Sequence, residues 1–470
     1  MVFSSAAFLF AFLPLVLLLY FIVPGRFRSA RNMVLLVFSL IFYFYGEPKG
    51  ILIMLLSITA NYIFAMLIEA NDEKPVPRRI ALILSVVFNL GILGYYKYTG
   101  FFLTNIQNMF GLDIAIPKII MPIGISFFTF QGMSYVFDVY QRTVKAQRNI
   151  LNVALYISMF PQLVAGPIVR YETIENELTD RTESLPMFYN GLCRFIIGMG
   201  KKMLLANCFG SIVQDIGWLT EPTVSWAIAW AGAIAYTFQI YYDFSAYSDM
   251  AIGLGQMLGF RFLENFDYPY ISRSITEFWR RWHMSLSVWF RDYVYIPLGG
   301  SRKGKVRQII NIAVVWALTG FWHGASWNFI LWGMYFAVLL IAEKLFLLKA
   351  LDKVWKPLAH IYALFFIVIG WVIFNSASMP AIVKTIGTMF SFSPLSDVSK
   401  GYVVYLLRNY TAEIIAGVLF SMPVYPLIKK RFESNIIYRC IFPVCILIIL
   451  ALSLVSIVSN TFNPFIYFRF

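Results

Sequence analysis

The feature that most constrains this chain is its series of long apolar runs. They cover 6–23, 33–45, 51–69, 80–98, 119–140, 150–168 and 188–216, then 224–242, 309–321, 327–346, 361–374, 412–428 and 437–458. A helix needs roughly 20 apolar residues to cross a bilayer. The composition agrees: 60% of residues are hydrophobic, 13% are charged, and the mean hydropathy is +0.71. In hydrocarbon every backbone polar group must be satisfied within the protein, which leaves helices as the spanning element. The runs therefore predict an all-α polytopic integral membrane protein, embedded in the lipid bilayer. Runs 33–45 and 309–321 are short, so the expectation is about eleven full crossings plus re-entrant or interfacial helices. No repeat or low-complexity tract divides the chain, so 1–470 reads as one membrane domain, with C-terminal helices at 359–459 and a tail at 460–470.

The net charge of +14 and pI near 9.5 do not point to nucleic acid, because the basic residues sit in short loops between apolar runs. That is the positive-inside bias of cytoplasmic loops. Arg26, Arg28 and Arg31 follow the first run, Lys74 to Arg79 the third, and Lys429 to Arg431 the penultimate one. These loops place both termini outside. The N-terminus lacks a basic leader segment and enters directly into 8–23, read as a retained first helix. Cys193, Cys208, Cys440 and Cys445 show no metal-ligand or disulfide spacing and read as buried apolar fillers.

Chemistry concentrates between 242 and 332. Gly320-Phe321-Trp322-His323-Gly324 lies inside an apolar region, where an ionisable side chain is costly and usually functional. The chain has only three histidines, His283, His323 and His360, and histidine is the natural proton carrier near neutral pH. Gly320 and Gly324 let backbone or ligand approach His323. Neutral imidazole there could take a proton from an attacking hydroxyl, worth roughly 10²–10⁴-fold in rate. His360, beside a basic loop, reads as structural.

Asp243, Ser245 and Asp249 in Tyr242-Asp-Phe-Ser-Ala-Tyr-Ser-Asp249 are expensive at membrane depth unless paired. They either orient a catalytic histidine, hold a substrate, or knot helices together. Residues 277–292 read as one amphipathic helix at the membrane interface. Glu277, Arg280, Arg281, Arg291 and Asp292 share one face at about 100° per residue, with Phe278, Trp279, Trp282, Leu286, Trp289 and Phe290 on the other. His283 lies at the edge of the aromatic face. Arg280 and Arg281 either attract donor phosphates or make ordinary ion pairs. The basic, glycine-rich 298–307 lacks the spacing of a nucleotide-binding loop and reads as a cytoplasmic loop. There is no serine-nucleophile elbow and no metal-ligand cluster, so the site is expected to hold no metal and no bound cofactor.

These segments resemble the membrane-bound O-acyltransferase family, and within it the bacterial alginate O-acetylation branch. The likeness rests on Met1-Val-Phe-Ser-Ser5, Ser126 to Tyr135, Phe160 to Ile168, Asp243 to Ala251, Phe278 to Ser287, Arg291 to Gly300 and Phe321 to Asn328, with the core motifs within 120–333. The resemblance implies helices around a central tunnel in the bacterial inner membrane. It implies His323 as the catalytic histidine and His283 as its support, with Trp322 and Asn328 of the same motif as candidate substrate- or donor-binding residues. An acyl thioester, acetyl-CoA, is the expected cytoplasmic donor, and an extracytoplasmic SGNH-hydrolase-like partner the expected recipient. The C-terminal Asn463-Pro-Phe-Ile-Tyr467-Phe-Arg-Phe470 resembles the aromatic tail of a companion peptide in teichoic-acid D-alanylation. That likeness makes Tyr467 a candidate acyl carrier, against an interfacial aromatic anchor. The expected function is O-acetylation of a cell-surface polysaccharide. Direct acylation of a lipid-linked or protein acceptor is one rival. The other is a polysaccharide transporter or exporter component, which paired internal repeats would mark; none is found.

Overall fold

The computed structural model of the chain describes residues 1–164, 166–217, 219, 224–459 and 465–466. Among these, no strand occurs. Eight helical stretches are long and apolar enough to cross a membrane: Arg28–Gly46, Gly50–Ala70, Pro75–Phe110, Leu185–Gly217, Trp327–Leu351, Lys356–Asn375, Asp397–Phe420 and Ile436–Ser459. Their outer faces carry large apolar side chains in the open, among them Leu52, Val87, Val404 and Leu447. Such side chains belong against lipid rather than water. Cys440 and Cys445 lie on one of these faces and are exposed, so they are not buried fillers.

The chain forms two compact units, Met1–Phe195 with Ser248–Glu264, and Ile196–Tyr247 with Asn265–Phe470. In the first, α1 (Leu13–Ile22), α2 (Arg28–Gly46), α3 (Gly50–Ala70) and α4 (Pro75–Leu93) run in sequence, and α5 (Thr99–Phe110) continues α4 through a π turn. Then come α6 (Ile125–Gln141), α7 (Ile150–Ser158) and α8 (Tyr171–Thr179). The rings of Phe3, Phe8, Phe12, Phe42 and Phe160 pack into one another. The side-chain amides of Asn61 and Asn89 bond each other at 2.9 and 3.1 Å, tying α3 to α4 where no water can serve.

Two apolar runs are helical over less of their length than their hydropathy suggests. Run 119–140 becomes helical only at Ile125, because Gly124 at φ +76° turns the chain first. Its absent Cβ would lie 2.9 Å from the Leu163 carbonyl oxygen. Run 150–168 is helical only to Ser158.

Helix α9 (Leu185–Gly200) leads into the second unit, which continues with α10 (Asn207–Gly217) and α11 (Trp226–Met257). The polar motif 242–249 does not follow its apolar span, as hydropathy suggests. It lies inside α11, whose hydrogen-bond ladder runs straight through it. Short α12 (Ile275–Arg281) and α13 (Met284–Phe290) precede α14 (Lys305–His323), α15 (Trp327–Ala342) and α16 (Leu348–Leu351). The unit closes with α17 (Lys356–Asn375), α18 (Met379–Met389), α19 (Asp397–Phe420), α20 (Val424–Phe432) and α21 (Ile436–Ser459).

Candidate active site

The site is built on the α14–α15 hairpin. A Cβ at Gly320 would lie 2.3 Å from the Phe329 carbonyl oxygen, and one at Gly333 2.3 Å from that of Trp316. Only two glycines allow this crossing, so their role is backbone approach rather than ligand access. The hairpin buries His323, the last residue of α14, to 5% exposure. Trp322 and Trp332 each place a ring centroid 4.9 Å from the imidazole, and Phe374 of α17 one at 5.6 Å. Asn328 spends its amide on the Phe374 carbonyl at 3.1 Å and on Ser326, so it fastens α15 to α17.

His323 Nδ1 lies 2.7 Å from the Thr319 carbonyl oxygen. A carbonyl only accepts, so Nδ1 carries the proton and Nε2 is the basic nitrogen. This is the tautomer a general base needs.

His283 reaches the same neighbourhood by a device hydropathy does not reveal. Residues 277–292 are not one helix. The chain breaks between α12 and α13, and His283 takes a left-handed conformation at φ 44°. Backbone bonds hold the break: the Asp267 N–H donates to Arg281 at 2.9 Å, and the Met284 N–H to Asn265 at 3.0 Å. The carboxylate of Glu343, 1% exposed, accepts the first-turn N–H groups of Ile275 and Thr276 at 2.7 and 2.8 Å and so anchors α12. Phe278, Trp282 and Trp289 are buried in protein, so the aromatic face is core rather than a membrane-surface anchor.

The break turns His283 inward, 2% exposed. The Phe244 ring meets it edge-on at 4.6 Å and Trp322 lies 6.2 Å away. Trp322 thus touches both imidazoles. Asn265, fully buried, places its Oδ1 at 3.2 Å from His283 Nδ1 and also accepts the Ser285 N–H at 3.2 Å. A backbone N–H can only donate, which identifies this atom as the oxygen. His283 Nδ1 therefore donates, and again Nε2 is the acceptor nitrogen. Burial, with His323 adding to it, holds the His283 imidazole well below the ordinary histidine range, so it is neutral.

The other sequence candidates separate. Asp243 does not orient either histidine: its Oδ1 takes Lys202 Nζ at 2.6 Å and its Oδ2 the Ile466 N–H at 2.7 Å. Asp249 pairs with Arg194 at 2.9 Å in the first unit. Ser245 Oγ is buried with no hydrogen-bond partner among the described residues. Arg281 pairs with Asp267 at 2.7 Å and Glu277 at 3.2 Å, while Arg280 is exposed. Arg291 pairs with Asp292 at 2.7 Å, and His360 bonds the Ser272 carbonyl at 3.1 Å. Tyr467 lies outside the described residues. Sequence reasoning missed Asn265, Lys202, Thr319 and Glu343. No local pattern marks them, since each acts on a partner brought close by folding or, for Thr319, through its backbone.

A cavity of about 450 Å³ opens beside the C-terminal end of α17, walled in part by Val213, Tyr236, Val372, Asn375 and Lys384. Neither histidine lines it. Phe374, next to the wall residue Asn375, is one of the rings that meet His323.

A model of the membrane-bound O-acyltransferase family matches residues 124–383. The chain is 37% identical to the probable alginate O-acetylase of Azotobacter vinelandii over 100% of both chains. It is 30% identical to the peptidoglycan O-acetyltransferase of Helicobacter pylori, over 90% of this chain and 87% of that one. It is also 28% identical to the teichoic acid D-alanyltransferase of Bacillus subtilis, over 54% of this chain and 68% of the other.

Proposed function

The chain belongs to the membrane-bound O-acyltransferase family, a multi-pass membrane acyltransferase, and from that premise we propose that it moves an acetyl group from a cytoplasmic thioester toward a cell-surface polysaccharide. The substrate class is carried over from relatives named for alginate, peptidoglycan and teichoic acid. Acetyl-CoA is the proposed donor, and an extracytoplasmic SGNH-like acetyltransferase the proposed partner. The basic loops support an inner-membrane orientation with both termini outside.

The observation that carries the chemistry is the Nδ1–H of His323 on the Thr319 carbonyl. In the proposed step, Nε2 takes the proton of an acceptor hydroxyl. The oxygen attacks the thioester carbonyl carbon, the C–S bond breaks, and the leaving sulfur recovers the proton from the imidazolium. Neutral His283 supports this step from the far side of Trp322. The acceptor hydroxyl is proposed to be that of Tyr467, which then passes the acetyl group onward outside the cell.

Two variants test the reading in cells that display the polymer. His323→Ala is expected to abolish polymer-bound acetate, a fall of about 10²-fold or more, at unchanged protein abundance. Unchanged acetate defeats the enzymatic role of His323. Tyr467→Phe keeps the ring and removes the nucleophile. Loss of acetate supports the relay, and normal acetate eliminates it while leaving the His323 chemistry standing.

A further inference from the structure

We propose that the buried Lys202–Asp243 pair is the seat of the C-terminal segment, and so a positioning element for acyl transfer; this rests on the tail-borne reading above. Both side chains are 3% exposed and lie 2.6 Å apart. A buried ion pair is rarely retained for stability alone, since an apolar pair of similar size does as well. Here the pair has a second task. Lys202 occupies one oxygen of the Asp243 carboxylate, and the other accepts the backbone N–H of Ile466 at 2.7 Å.

The side chains on either side of that bond agree with it. Phe465 lays its ring 4.9 Å from Tyr247, one turn of α11 beyond Asp243. Ile466 joins the core that holds Trp282 and Tyr241. Both tail residues are 5% exposed. The residue after Asp243 is Phe244, whose ring stands against His283. One stretch of α11 therefore meets the tail through Asp243 and the histidine site through Phe244. Tyr467 follows Ile466 directly in the sequence. Because the carboxylate grips a main-chain N–H, the seat fixes where the backbone lies. The aromatic and aliphatic neighbours fix which segment fits.

The test compares two forms of the full-length protein, each in the Ile466→Cys background. Lys202→Met with Asp243→Asn removes both charges and keeps an oxygen for the tail N–H. Lys202→Met with Asp243→Leu removes that oxygen as well. Monodisperse detergent-solubilised protein is treated with a polar maleimide, and labelling at 466 is read by peptide mass spectrometry, apart from the native cysteines. The expected result is protection in the Asn form and labelling about tenfold faster in the Leu form, as the segment opens locally. Equal rates in the two forms overturn the seat. Repeating the comparison with Tyr467→Phe separates the two ideas. The seat predicts the same difference without the hydroxyl, whereas the relay stands or falls on acetate alone.

Discussion

Each compact unit buries a prominent polar cluster, and the two are built on opposite principles. In the first, the Glu183 carboxylate accepts from Tyr20 and Arg28 and pairs with Arg31 at 3.0 Å. Arg181, 4% exposed, bonds Asn32 at 2.7 Å and the Tyr20 hydroxyl at 3.1 Å, with its guanidinium 4.3 Å from the Phe260 ring. In the second, the key groups are the imidazoles of His283 and His323 and the amide of Asn265. The charged cluster commits its groups to one another, which ties α1 and α2 to the loop after α8. The second cluster engages the Nδ1 of each ring, through Asn265 and the Thr319 carbonyl, which makes Nε2 the basic nitrogen. Buried charge here serves architecture, whereas the second cluster sets which nitrogen of each imidazole is basic. The Lys202–Asp243 pair, in the second unit, shares features of both: it is a charged pair whose second oxygen is lent to a segment of the chain.

The comparison can be broken by substitution. After His323→Ala, the largest effect on rate is expected at Asn265. Asn265→Ala removes the oxygen that sets the His283 tautomer, and turnover is expected to fall about 10- to 100-fold with little change in protein abundance. Asn265→Asp, which keeps the acceptor, should retain more activity than Ala. If Asn265→Ala turns over normally, the second cluster is not tuned as described. Glu183→Gln should act the other way. It leaves the arginines without their carboxylate and is expected to cost about 3 kcal/mol of stability. Turnover per folded molecule should be unchanged, measured by thermal unfolding in detergent beside an acetate assay. A loss of turnover without a loss of stability would assign the first cluster a chemical role.

The smallest effect is with pH. Burial alone would raise the Glu183 carboxyl, but the bonds from Arg28 and Tyr20 outweigh it and hold the group at about 2. An unfolded glutamate titrates near about 4.3. The stabilisation is therefore fully present above that value and is lost as pH falls from there through about 2. Thermal unfolding of the parent compared at about pH 6 and about pH 3 should show this slope, and Glu183→Gln should lack it. A parent with no acid slope would mean the carboxylate is not held by its arginines.

Much of this was legible along the chain. The apolar runs located seven of the eight long apolar helical stretches, because lipid demands unbroken stretches of apolar residues whatever their packing; run 412–428 met Asp397–Phe420 only at its end. His323 and His283 stood out because ionisable groups are rare in such surroundings. The break at His283 could not be read, since residues 277–292 satisfy helical periodicity well. Only the backbone of Asn265 and Asp267, arriving from outside that stretch, makes the break favourable. The two aspartates of 242–249 looked alike for the same reason. On their own helix they are equivalent, and what separates them is Lys202 and Ile466 in one case and Arg194 in the other.

By itself, the sequence determined that the chain is helical, membrane-embedded and furnished with only three imidazoles, two of them in apolar, aromatic surroundings, because hydropathy and rarity are local properties. Which nitrogen of each ring is basic, which carboxylate holds the tail and which aromatic face is core were decided only in the folded state. Each of these depends on a donor or acceptor tens to hundreds of residues away, or on the backbone geometry that folding imposes.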